Sequence, residues 1–162
     1  MTEARDTAGV IAPPPLMLAA TILLGLLLDW LLPAYVLYLL LPFLLRIILG
    51  VTFIAAAAAI SISAVRSFRA AGTNVEPWKP STALVTVGVF AWLRNPMYVG
   101  GTLLLVGLSV LLASDWMLVL TIVFALFLHF GVVKREERYL ETKFGEVYRR
   151  YRDAVPRYGL PL

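Results

Sequence analysis

The sequence predicts an all-α integral membrane protein, with about four transmembrane helices and a cytoplasmic C-terminal amphipathic helix. Composition is the first reason: 60% of the 162 residues are hydrophobic and the mean hydropathy is +0.85, whereas soluble domains are about 45–50% apolar. The second is pattern, since four apolar stretches long enough or nearly long enough to cross a bilayer alternate with short polar breaks. The third is the placement of Lys and Arg, which gather in the loop between the second and third stretches and in the C-terminal tail.

The first span is expected from about Leu16 to Leu32, preceded by the helix-starting Pro13, Pro14 and Pro15 and ended by Asp29, Trp30 and Pro33. The preceding N-terminus mixes acidic and basic residues and has no small-residue cleavage pattern, so the segment is expected to remain rather than be removed as a signal peptide. Residues 34–41 are too few to span and are expected at the interface. The second span runs from about Pro42 to Phe68, and its alanine run, Ala55–Ala59, offers a face for close helix packing. Arg46, near its outer end, is expected either to snorkel or, by preference, to pair with Asp29. The third and fourth spans, about Tyr98–Ala113 and Trp116–Val133, form a tight helical hairpin in which Asp115 suits the N-cap of the fourth.

Arg66, Arg69, Lys79 and Arg94 lie in the central loop, and eight further basic residues from Lys134 to Arg157 lie in the tail, against Asp115 alone in the hairpin turn. The positive-inside rule then puts the loop and both termini in the cytoplasm of a multi-pass protein of the inner or plasma membrane. Apolar residues at Tyr139, Leu140, Phe144, Val147, Tyr148 and Tyr151 recur at steps of three and four, giving an amphipathic tail helix with a kink at Gly145. The whole chain, 1–162, reads as one membrane domain: an N-terminal span pair over 1–79 and a half rich in polar motifs over 80–162.

Without cysteine there is no disulfide, thiolate metal site or cysteine nucleophile, and the one histidine, His129, precludes a multi-histidine metal cluster. No metal site is expected. G-x-G-x-x-G after a strand, the P-loop, H-E-x-x-H and G-x-S-x-G are all missing from the sequence. Two polar constellations remain. "RNPMY", Arg94–Tyr98, opens the third span, with Pro96 suited to a first helical turn and Asn95 to a cap. "KREER", Lys134–Arg138, closes the fourth. Because the hairpin returns the chain, Arg94–Tyr98 and Glu136–Glu137 are expected on adjacent helix ends. Each taken alone also suits simple interfacial anchoring or a solvated helix face.

The stretch "PSTALVTVGVFAWLRNPMYVGG", followed by "REERYLETKFGEVYRRYRDAVPR", resembles the isoprenylcysteine carboxyl methyltransferase family and the related phospholipid methyltransferases. The shared positions are Leu84, Val85, Thr86, Gly88, Phe90, Arg94, Asn95, Pro96, Tyr98 and Gly100, then Glu136, Glu137, Leu140, Phe144, Gly145, Tyr148 and Tyr151. The eukaryotic isoprenylcysteine enzymes differ in having His at Asn95, Tyr at Phe90 and a substrate-linked Arg at Val132.

That resemblance implies a membrane-embedded enzyme using S-adenosylmethionine (SAM), with 80–162 as its cofactor-binding half. The implied cofactor contacts are Thr82, Ala83, Leu84 and Val85 in a strand-like run, then Phe90, Asn95, Pro96, Met97, Tyr98 and Glu136, with Arg94 and Glu137 supporting the catalytic centre. Glu136 suits the SAM ammonium; Arg94 or the start of the third span suits its carboxylate; Phe90 and Tyr98 suit the adenine or sulfonium. Gly100, Gly101 and Gly107 serve either a slim span beside the cofactor or close helix packing. The implied partners are the lipid bilayer and an amphiphilic, lipid-like substrate, with no nucleic acid. Methylation of a carboxylate is the leading reading; a phospholipid amine N-methyltransferase and a non-catalytic membrane scaffold are the alternatives.

Overall fold

A computed structural model describes residues 6–159 of the chain. Its helices are α1 (Pro14–Leu31), α2 (Val36–Leu40), α3 (Phe43–Ala70), α4 (Pro96–Leu112), α5 (Asp115–Leu128), α6 (Lys134–Phe144) and α7 (Glu146–Ala154), with a 3-10 turn at Gly88–Ala91 and a π turn at His129–Val133. No strand occurs among the described residues. Three helices are long and apolar enough to cross a membrane: α1, α3 and the continuous rod Asp115–Phe144 made by α5, the π turn and α6. The shorter apolar α4 has 17 residues, about 25 Å of helix, near the lower limit for a span.

Helix starts follow local chemistry. Proline occupies the first turn of α1 and of α4, where its missing N–H leaves no hydrogen bond unmade. Ser114, rather than Asp115, caps α5 by accepting the Met117 amide at 3.2 Å. The Asp115 carboxylate turns to the neighbouring segment and accepts the Val36 and Leu37 amides, each at 2.9 Å, so it caps α2 instead. Within residues 34–41 the short helix α2 is thereby pinned to the hairpin turn.

Helix α3 packs on α4, α1 on α5, and α4 on α5. Lipid leaves little hydrophobic drive between helices, so close backbone approach must supply the attraction. Gly50 and Gly107 face each other in the α3–α4 contact; a Cβ on Gly107 would lie 2.8 Å from Ile54 Cγ1 and 3.0 Å from the Gly50 carbonyl oxygen. Gly25 does the same for α1 against Met117 of α5.

The two ends of the bundle are tied separately. At one end Asp29 accepts the Ser114 hydroxyl and the Trp116 amide, and Trp116 Nε1 donates to the Leu32 carbonyl at 2.7 Å. Asp29 is thus occupied, and the expected Arg46–Asp29 pair does not form: Arg46 lies over the rings of Tyr38 and Phe43. At the other end the segment before α1 runs along the rod. The π turn presents its Gly131 carbonyl to the Ile11 amide (3.2 Å), Arg135 donates to the Gly9 carbonyl (2.9 Å), and Lys143 pairs with Asp6 (2.6 Å). Tyr139 joins Asp6 and the Ser81 amide, so the N-terminal segment, the central loop and the tail share one end. Gly145, at φ +55°, breaks the tail into α6 and α7 at the expected kink.

Gly107→Ala is expected to push α3 from α4 and cost about 1–3 kcal/mol, as overpacking does. Thermal melting in detergent measures it. Gly101→Ala, whose Cβ would meet only Leu18 and Phe124 side chains at 3.5 and 3.9 Å, should leave the melting temperature nearly unchanged.

Candidate active site at the shared end of α3, α4 and the rod

The site begins at Gly88, whose φ of +65° turns the irregular loop into the 3-10 turn. The turn buries Phe90 edge-on against Phe68 of α3, ring centroids 4.9 Å apart. Asn95 stands at the N-cap position of α4 and Pro96 follows as its first residue, but the Asn95 side chain caps nothing. Its amide donates instead to the Arg157 carbonyl at 3.2 Å.

The hairpin brings Arg94 to Glu137 at 2.8 Å, with 8% and 12% of their side chains exposed. Glu137 is also gripped by the Arg157 guanidinium, Nε to Oε1 at 2.9 Å and Nη2 to Oε2 at 2.7 Å, a two-point contact suited to the planar fork. Arg94 donates further to the Val155 carbonyl (3.0 Å) and the Tyr148 hydroxyl (3.3 Å), while its own amide donates to the Pro156 carbonyl (3.0 Å). Burial pushes the Tyr148 hydroxyl up to about 12, with the Glu137 charge adding to it, so it stays a neutral phenol beside the ion pair. Tyr151 donates to the Phe90 carbonyl at 2.7 Å. The segment after α7 is therefore strapped across the "RN" of the motif.

Glu136 is treated differently. It accepts the Tyr98 hydroxyl at 2.6 Å and has no cation within ion-pair distance among the described residues. It faces a cavity of about 430 Å³, within the about 300–1,000 Å³ of small-molecule sites. Phe90, Arg94, Asn95, Pro96, Met97 and Tyr98 line its motif end. Its deeper walls are apolar, with Leu18 from α1, Ile54 and Ala57 from α3, Gly101 and Leu104 from α4, and Phe124 and Leu128 from α5. A narrow cleft shares Phe90, Arg94, Asn95 and Glu136 with the cavity and continues to Ala83, Leu84, Val85 and Glu137.

The structure thus gathers eleven of the twelve sequence-predicted site residues around two adjoining spaces. Thr82 lines neither; its amide and hydroxyl are bonded to Thr73 Oγ1 and the Gly72 carbonyl. Among the glycines, Gly100 and Gly101 border the cavity, while Gly100 also abuts Ser61 and Ala57, and Gly107 serves packing. Sequence reasoning missed the 1–79 contribution, which supplies the α1 and α3 walls and the loop residues Glu76, Pro77 and Trp78. It also missed Arg157, whose position inside the tail's run of basic residues carried no sign of a specific partner. His129 borders neither space, and its Nδ1 lies 2.8 Å from the Tyr158 hydroxyl.

Glu137→Gln should leave two guanidiniums without their counter-charge and cost about 3–5 kcal/mol, the range for breaking a buried pair. Arg157→Ala, which leaves Arg94 to answer Glu137, should cost less and show first as faster proteolysis after residue 154. Thermal melting and limited proteolysis separate the two.

No solved structure matches the chain significantly. A curated relative, a protein-S-isoprenylcysteine O-methyltransferase of Schizosaccharomyces pombe, is 40% identical over 82 residues, covering 49% of this chain and 33% of the relative. The match spans about a third of that relative's length. The family model described as phospholipid methyltransferase matches residues 45–147, a span that takes in α3 from Leu45 onward, the site loop, the hairpin, Arg94–Tyr98 and Lys134–Arg138. The chain belongs to the phospholipid methyltransferase family.

Proposed function

We propose that the chain is a membrane-embedded SAM-dependent methyltransferase that methylates a carboxylate on an amphiphilic substrate. The observation that carries the reading is the unequal treatment of two consecutive carboxylates. Glu137 is answered by Arg94 and Arg157, whereas Glu136 faces the cavity with, among the described residues, only a phenol for a partner. A carboxylate withdrawn from water without a cation is costly, and a cationic ligand relieves that cost. The SAM ammonium fits this place.

Other residues suit the rest of the molecule. The positive end of α4, at Pro96–Tyr98, borders the same space and favours the SAM carboxylate. Phe68 and Phe90 present aromatic surface for the adenine and sulfonium. When bound, SAM supplies a methyl group already activated by the sulfonium. The chain's own task is to hold donor and acceptor in line and keep water out, which the apolar walls favour. The deeper part, from Leu18 and Ile54 to Phe124, accommodates the hydrocarbon portion of an acceptor arriving from the lipid.

A carboxylate acceptor is ionised at neutral pH and needs no base; an amine must first lose a proton. That task would fall to a Glu or to His129; His129 stands outside the cavity, whereas Glu136 borders it. O-methylation asks no such base of the chain, and it is the reaction in the name of the Schizosaccharomyces pombe relative. By the positive-inside rule, Arg66, Arg69 and the basic tail put the site at the cytoplasmic face.

Glu136→Gln is expected to weaken SAM binding about 10- to 100-fold, the loss of one charge-assisted contact, with the fold intact; calorimetric titration in nanodiscs reads it. Supplied with methyl-labelled SAM and a small S-prenylated cysteine, the wild type should yield a product whose label is released by base as methanol. Base-stable label on phosphatidylethanolamine would instead make it an amine methyltransferase. A folded wild type that binds no SAM would make it a scaffold.

A further inference from the structure

At the end of the bundle opposite the candidate site, Arg46 lies in the first turn of α3 with its guanidinium 5.1 Å from the Tyr38 ring centroid and 5.7 Å from that of Phe43. Its Nε is shut off from solvent, and among the described residues it has no hydrogen-bond partner and no carboxylate pairs with the guanidinium. The two carboxylates at this end are engaged elsewhere, Asp29 with Ser114 and Trp116, Asp115 with the α2 amides. A guanidinium does not shed its proton to escape a low-dielectric place, so it requires an anion.

Its depth says which anion is at hand. Arg46 and Arg66 lie on the same continuous helix twenty residues apart, about 30 Å along its axis, the thickness of the hydrocarbon core. With Arg66 at one polar boundary, Arg46 stands at the other, where phospholipid phosphates lie. Trp30 is 78% exposed, and Tyr35, Tyr38 and Trp116 sit at the same end, forming the aromatic belt of an interface. Leu39 and Leu40 of α2 and Phe43 and Leu44 at the start of α3 are all strongly exposed.

We infer that Arg46, flanked by Tyr38 and Phe43, binds the phosphodiester of a phospholipid in the leaflet opposite the candidate site, with the acyl chains lying on the exposed leucines of α2 and α3. The lipid supplies the missing counter-charge and tethers the α2 turn at a fixed height. This site is independent of the proposed methyl transfer.

The test uses the full chain purified in dodecyl maltoside, as wild type, Arg46→Gln and Arg46→Lys, with bound phospholipid counted by native mass spectrometry. The wild type should retain about one phospholipid per chain. Arg46→Gln should lose it and rebind phosphatidylglycerol at least tenfold more weakly, while Arg46→Lys, keeping the charge but not the fork, falls between. Equal retention by wild type and Arg46→Gln overturns the site. Displacement of the lipid by millimolar inorganic phosphate would make it a soluble-anion site, and a lipid-free dimer lost in Arg46→Gln would make it a contact between copies; either overturns the lipid. Should Arg46→Gln fail to fold, wild type stripped of lipid decides: phosphatidylglycerol must raise its melting temperature, and a diacylglycerol with the same chains must not.

Discussion

Taking a carboxylate out of water is costly unless something answers its charge, and Glu137 is answered by two guanidiniums from opposite ends of the site sequence. Arg94 comes from the entry to α4 and Arg157 from the segment beyond α7, and both converge on the start of α6. That convergence fixes the loop, the hairpin and the tail relative to one another. It also means that the arginine of the "RNPMY" motif has its charge met by protein, with its Nε and Nη1 donating further to Val155 and Tyr148. Glu136, one position earlier, is released from this network by the turn of the helix and points to the cavity.

Membrane packing supplies the space. Glycines at 50 and 107 let α3 and α4 approach until Cβ atoms would collide, and Gly25 does so for α1 and α5. The pairs so formed leave the cavity between them, walled by α1 and α3 and floored by α4 and α5. The π turn at His129–Val133 belongs to the same design. It interrupts the helical hydrogen-bond ladder just before the two glutamates and offers the Gly131 carbonyl to the N-terminal segment, whose continuation, Pro14 and Pro15, borders the cavity.

Much of this was legible in the residue order. Apolar stretches of span length gave the helices because lipid leaves the backbone no other way to satisfy its hydrogen bonds. The two-residue break at Ser114 and Asp115 forced a hairpin, and a hairpin must set its two ends side by side, which is why the Arg94–Tyr98 and Glu136–Glu137 juxtaposition could be expected. Gly145 as a break and Pro96 as a helix start followed from their own backbone preferences. The family likeness of the two motifs rested on spacing that the hairpin then explains.

What tertiary structure alone decided were the choices among partners that the sequence left equivalent. Asp29, Asp115, Ser114 and Arg46 all lie near one end, and any pairing of them was chemically reasonable. The observed geometry gives Asp29 to Ser114 and Trp116, gives Asp115 to α2, and leaves Arg46 to two aromatic rings. Likewise the walls from α1 and α3 carry no motif, because an apolar residue facing a cavity and one facing lipid look alike in a sequence. Periodicity, charge and backbone preference act locally and so are written along the chain; which donor meets which acceptor depends on distances between segments, and only the folded bundle sets them.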